Sequence, residues 1–370
     1  MKVEGKGKRP RKGLDKKDLS IIDALGKLGG KVSTEELADI TNIAARTIRY
    51  RLKRLRDEGF LSRLYAQTHE YKIGMGDSML ILQEVQGKSD RLKEAIDSIG
   101  WFYYTGPTYG RYNGYMIHAM YSLDKPDGVV RLAKEMQSLG IIDDYYYYSV
   151  TDYETRRGDF KQFEYNRGWK WDSNQWIREA EGCIATGDAI DIKLEYEPKQ
   201  MEFDRIDVIL INELKAESNR TLKEFGELVN LSETQIKRRI TRLEDAGVVK
   251  GYRWIIEKID SPLYIYIFLE LSDNVDCILS SFYRLPFPCE ILMESRNRYC
   301  ARIRLYGTEI TGLLRGISYM RKYIESYFVQ ITHDLSEVPT SESSGYFNMD
   351  EMRWEYPTDD AIARLRKNFG

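Results

Sequence analysis

Leu231-Ser232-Glu233-Thr234-Gln235-Ile236-Lys237-Arg238-Arg239-Ile240-Thr241-Arg242-Leu243-Glu244-Asp245-Ala246-Gly247-Val248-Val249 has a counterpart 188 positions earlier, running from Ile43 to Leu61. Ser232 and Gln235 have the spacing of a capping box, in which each side chain satisfies a backbone donor at the start of a helix. From that start Ile236, Ile240 and Leu243 share one face, and Ile48, Leu52 and Leu55 do the same in the earlier copy. The opposite faces are basic and polar. One carries Thr234, Gln235, Lys237, Arg238, Thr241 and Arg242; the other carries Arg46, Thr47, Arg49, Tyr50, Lys53 and Arg54. Arginine and lysine reach phosphates and guanine edges, while threonine and glutamine can read other bases, so each face suits a DNA major groove. Ala44 stands where the later copy has Ser232, removing a cap worth about 1 kcal/mol from the first of the two helices.

Upstream the repeat continues. Leu14 to Leu25 matches Phe203 to Leu214, with acidic first turns at Asp15 and Asp18 and at Asp204 and Asp207. A second helix is expected over Thr34 to Ile40 and over Leu222 to Val229, giving a trihelical unit in each copy. Downstream, Gly59 and Gly247 end the third helices, and wing hairpins are expected at Ser62 to Lys72 and at Lys250 to Glu257, with Arg63, Arg253 and Trp254 near a DNA backbone.

After each wing the pattern reads strand, helix, strand, strand, helix, strand, the order of a ferredoxin-like sandwich. The fold class expected is α+β: two winged helix-turn-helix domains alternating with two ferredoxin-like βαββαβ sandwiches, a tandem duplication forming an internal pseudo-dimer. The expected segments are a basic tail over 1–13, a winged helix-turn-helix over 14–76, a sandwich over 77–155 and an aromatic extension and linker over 156–202. They continue with a second winged unit over 203–260, a second sandwich over 261–336 and a C-terminal aromatic extension over 337–370. Phe160 to Trp176 and Tyr346 to Tyr356 are too rich in aromatic rings for free linkers, and packing against the sandwiches is expected. Tyr146, Tyr148, Tyr264 and Tyr266 are candidates for an interface between the sandwiches.

Composition narrows the class. A net charge of −2 argues against coating nucleic acid over the whole surface but permits local basic patches such as Lys6 to Lys12. Four cysteines stand singly and three histidines are scattered, so neither a disulfide framework nor a metal motif is expected. The apolar run Leu263 to Leu271 has a strand's length, no signal-peptide pattern is visible, and a cytoplasmic location without membrane association is expected.

The motif L-D-x-x-D-x-x-I-I-x-x-L at Leu14 to Leu25, with the helix-turn-helix signature at Ile43 to Leu61 and its echo at Leu231 to Val249, resembles the Lrp/AsnC family of feast/famine transcription regulators in a double-length form. The resemblance implies a non-enzymatic regulator of double-stranded DNA. It also implies a small effector such as an amino acid, taken near the loop between the middle sandwich strands, and a pseudo-dimer within one chain that could pair as a homodimer. Thr105 to Asn113 resembles that glycine-containing loop, whereas Glu294 to Tyr299 lacks glycine. No cofactor and no metal are expected. Siroheme decarboxylases resemble the same architecture, and their activity implies histidine and basic residues around a tetrapyrrole carboxylate; Gly106 to Asn113 contains no histidine. A weakly specific architectural DNA-binding protein is the other alternative.

Overall fold

The computed structural model describes residues 13–165, 167–257, 263–333 and 345–370. The basic stretch Lys6 to Lys12 lies outside the described residues. In the first half, α1 (Lys16–Leu28), α2 (Thr34–Thr41) and α3 (Ala45–Asp57) form the trihelical unit, and β1 (Leu61–Thr68) follows. Then come β2 (Met75–Glu84), α4 (Ser89–Ile99), β3 (Tyr104–Gly110), β4 (Gly114–Ser122), α5 (Gly128–Ser138) and β5 (Ile142–Val150). β6 (Asp152–Arg156), the small pair β7 (Phe163–Glu164) and β8 (Gly168–Trp169), and α6 (Ser173–Thr186) complete this half.

The second half starts with α7 (Arg205–Ala216), α8 (Leu222–Val229), α9 (Glu233–Asp245) and β9 (Val249–Ile256). It continues through β10 (Leu263–Glu270), α10 (Val275–Tyr283), β11 (Cys289–Met293), β12 (Arg298–Leu305), α11 (Gly307–Met320) and β13 (Ser326–His333). The pair β14 (Phe347–Asn348) and β15 (Arg353–Trp354) precedes α12 (Thr358–Phe369). The molecule is thus mixed α and β, with the strand–helix–strand–strand–helix–strand order in both halves.

Nine strands join in one sheet in the order β5-β2-β4-β3-β13-β10-β12-β11-β6. Each four-strand block has the ferredoxin-like order, and the blocks meet where β3 pairs with β13 through Thr108↔Thr332, Tyr109↔Ile331 and Gly110↔Gln330. Alternation along a strand sorts the side chains by face. Ile265, Ile267 and Leu269 pack under α10 and α11; Tyr266 and Phe268 point the other way, into a core shared with Met79, Ile81, Met116 and Tyr148 of the first block. Tyr146 and Tyr148 make edge-on contacts with Phe268 at 5.3 Å between ring centres, so the sandwiches do face one another through aromatic rings.

Three expectations change. The wing hairpins do not form: β1 and β9 each run out as a single strand and pair with each other, antiparallel, from Leu61↔Ile256 to Thr68↔Val249. The chain leaves β1 through a short 3-10 turn at Glu70–Ile73 and Gly74 directly into β2, so β1 takes its ladder partner from a strand of the other half. The stretch 105–113 is mostly strand rather than loop: β4 pairs with it as far as Thr108, and β13 pairs with it from Thr108 to Gly110. Buried Gln330 locks that join: its Oε1 accepts from the Tyr112 amide at 3.0 Å, and its Nε2 donates to Thr108 Oγ1 at 3.0 Å and to the Tyr112 carbonyl at 2.9 Å. Gly110 sits at φ 148°, where a side chain would meet the Val329 carbonyl.

The third change concerns the aromatic extensions: some of their rings join the trihelical cores rather than the sandwiches, and the helices that follow them cross over. Phe160 and Phe163 pack into the core of the first trihelical unit. Trp176, Ile177 and Ala180 of α6 cover the helices of the second sandwich, while Ala361, Ile362 and Leu365 of α12 cover those of the first. Phe347 and Trp354 join the core of the second trihelical unit. β6 likewise leaves the first block and adds to the second at β11.

Candidate nucleic-acid interface

The third helix of each unit forms for the reasons its sequence carries. Ser232 caps α9 with Gln235, and both hydrogen bonds of the box are present. Ala44 gives α3 no side-chain hydrogen bond. Ile48 and Leu55 of α3, and Ile236, Ile240 and Leu243 of α9, are buried. That places Arg46, Arg49, Tyr50 and Lys53 in solvent on α3, and Thr234, Gln235, Lys237, Arg238, Thr241 and Arg242 in solvent on α9. Thr47 is half-buried. Tyr50 is 70% exposed, so most of its ring stands in water.

Two of the basic residues have other work. Arg54 ion-pairs with Asp18, whose carboxylate is fully buried at the start of α1 and also receives Arg51 at 2.7 Å. In the second unit Arg242 pairs with the fully buried Asp207, which also receives Arg239 at 2.8 Å. A buried carboxylate needs such partners, because desolvation alone would neutralise it. Burial of Asp15 is outweighed by its hydrogen bonds from Arg51 and the helix amides, which hold the carboxyl down to about 2. Asp204 is lowered in the same way, with Arg239 in the role of Arg51. Sequence spacing shows a basic face but not which arginines pair with the buried aspartates; the signal available was the acidic first turn of α1 and α7. Arg49 pairs with exposed Glu35, a contact that costs little to exchange for a phosphate.

The β1–β9 ribbon fixes the two units relative to each other. Tyr65 and Arg253, opposite one another at its centre, are 188 positions apart, the offset of the repeat itself. Leu64↔Trp254 and Ala66↔Tyr252 then exchange roles across that centre, so the ribbon carries a local two-fold. Arg253 and Trp254 are consumed by this junction and do not reach outward. Arg253 donates to Gln67 and to the Thr155 carbonyl, and Trp254 is buried with its Nε1 donating to the Gly30 carbonyl at 3.1 Å. Arg63 is half-buried beside the ribbon.

Comparison with known proteins places these units. Residues 14–62 match the model described as winged helix-turn-helix DNA-binding, and residues 203–244 match that of the AsnC-type helix-turn-helix domain. The regulator LrpC of Bacillus subtilis is 36% identical over 148 residues, 39% of this chain and 100% of its own length. An uncharacterised HTH-type transcriptional regulator of Pyrococcus abyssi is 32% identical over 108 residues, 28% of this chain and 72% of its own. Other Pyrococcus regulators are matched over 35% to 58% of their lengths. Among solved structures, the siroheme decarboxylase NirDL covers 94% of this chain and 98% of its own at a TM-score of 0.53 and 12% identity, a likeness of fold. On the sequence matches to both trihelical units and to the full length of LrpC, this chain belongs to the Lrp/AsnC family of helix-turn-helix transcription regulators.

Proposed function

We propose that the protein is a transcription regulator that reads double-stranded DNA with two non-identical helices, α3 and α9, held in one chain. The observation that carries this is the pair of solvent-facing basic surfaces at equivalent positions on either side of a ribbon with a local two-fold. Such symmetry is what two-headed regulators use to place helices in successive major grooves. Arg46, Thr47, Arg49, Tyr50 and Lys53 form one reading set; Thr234, Gln235, Lys237, Arg238 and Thr241 form the other. Arg54 and Arg242 act mainly through their buried aspartates. Because the sets differ, the preferred site has unlike halves. Selection from random duplexes is expected to return asymmetric sites bound far more tightly than scrambled DNA at physiological salt. Perfect palindromes among the best ligands, or equal binding of scrambled DNA, would remove the two-reader reading or its specificity.

The same reading makes the protein non-enzymatic, cytoplasmic and open to modulation by a small effector, of the amino-acid class that the family implies. The stretch 105–113 offers no dedicated loop for it. One chain supplies both heads, so a homodimer is compatible but not required.

A further inference from the structure

Between the ribbon and the inner face of the large sheet lies a cavity of about 240 Å³. Its roof is Ala66, Gln67 and Thr68 of β1 with Ile255 of β9, and Lys215 of α7 closes one side. That volume is below the range of about 300–1,000 Å³ that holds drug-sized ligands, so it suits a small molecule. Of its charged groups, Arg63 stands half-buried on the β1 side, while Lys215 is matched by Glu70 at 2.6 Å and Arg302 by Glu290 at 2.5 Å. Asp77 is different. Its carboxylate accepts from the Tyr103 hydroxyl at 2.8 Å, and it forms no ion pair among the described residues. Beside it, His118 is buried among the rings of Tyr103, Tyr104 and Tyr266, with centroids 5.2–6.1 Å away. Met120, Val150, Ile255 and Leu292 give the cavity an apolar wall.

A carboxyl lacking a counter-ion, next to phenol rings and an apolar wall, is a receptor for a positive head with a short hydrocarbon tail. We propose that this cavity binds a small organic ammonium ion, its head on the Asp77 carboxylate and its tail against Met120, Val150 and Leu292. The inference goes beyond DNA reading and does not depend on it. Since the roof is the ribbon that links the reading units, an occupant would also brace those units against the sheet.

The electrostatics supply a test with a sign. Burial, then the charge of nearby Glu70, pushes the Asp77 carboxyl up to about 7, against the pull of the Tyr103 hydrogen bond and of Lys215. The other titratable groups facing it are His118, Tyr121 and Tyr356; burial keeps the imidazole neutral and raises both phenols, so none of them changes charge near neutral pH. An alkylamine stays charged up to about pH 10, so binding favours the ionised carboxyl and releases a proton. Titration calorimetry on the full chain with n-butylamine is expected to show an affinity about tenfold higher at pH 6.5 than at pH 5.5, levelling off above about pH 8. Asp77→Asn should weaken it at least tenfold at pH 8, with thermal melting verifying that the variant is folded. Butyrate, of similar shape and opposite charge, should not bind. Absence of saturable heat with millimolar butylamine, an affinity indifferent to pH, or preferential binding of butyrate would each overturn the proposal, and all three are read on the unaltered protein.

Discussion

Replacing Arg54 by alanine separates the structural from the DNA-contacting arginines of α3, and Lys53→Ala is its internal control. Arg54 is 18% exposed and ion-pairs with Asp18, whose carboxylate is 0% exposed. Deleting it leaves Asp18 with Arg51 at 2.7 Å and its bond from the Asp15 amide at 2.9 Å, so the carboxylate is weakened but not orphaned. The loss is therefore that of one charge-assisted hydrogen bond, about 1.5–3 kcal/mol, rather than that of a buried charge stripped of every partner. Lys53 is exposed, and its replacement should leave stability within about 0.5 kcal/mol. DNA binding should show the reverse. Each phosphate that is no longer neutralised reduces the slope of log affinity against log salt by about 0.9. Lys53→Ala should show that change, and Arg54→Ala should show much less once measured well below its lowered melting temperature. Fluorescence anisotropy over a salt series, paired with urea unfolding, gives both readouts. If Arg54→Ala flattened the salt slope as Lys53→Ala does while unfolding like the parent, the assignment of Arg54 to Asp18 would be refuted.

Ala44→Ser should add about 1 kcal/mol to the first unit by restoring the missing cap, and Ser232→Ala should remove a similar amount from the second, both read by urea unfolding. Trp254→Ala, which empties a buried ring site and strips the donor from the Gly30 carbonyl, should cost about 3–5 kcal/mol and expose the first unit's amides to hydrogen exchange, although Trp254 belongs to the other half of the sequence. Asp77 and His118 should pull stability in opposite directions with pH. The raised acid stabilises the fold below its unfolded pKa of about 3.9 and loses that contribution as pH rises toward 7. His118, which burial and Arg302 lower to about 3, contributes stability above the unfolded value of about 6.5 and loses it as pH falls. Between about pH 4 and 6.5 the slopes oppose, so His118→Gln should make stability fall with rising pH and Asp77→Asn should make it rise, as followed by thermal melting; slopes of equal sign would contradict this.

The sequence by itself determined what is local. Helix spacing, capping residues and period-two alternation fixed α1 to α3, α7 to α9, the order of strands and helices, and the outward faces of α3 and α9, because each depends on neighbours within a few turns of chain. Only the tertiary structure decided which elements meet across the halves. Nothing within β1 or β9 specifies a partner strand, so hairpins were as compatible with their sequence as the ribbon; the same holds for the join of β3 to β13 through Gln330 and for the crossing of α6 and α12. It also decided that Arg54 and the exposed Arg242 each pair with a buried aspartate and that Asp77 lies under the ribbon with a phenol for its partner. Desolvation and pairing act between groups brought together from distant positions, and no spacing rule along one chain encodes such meetings.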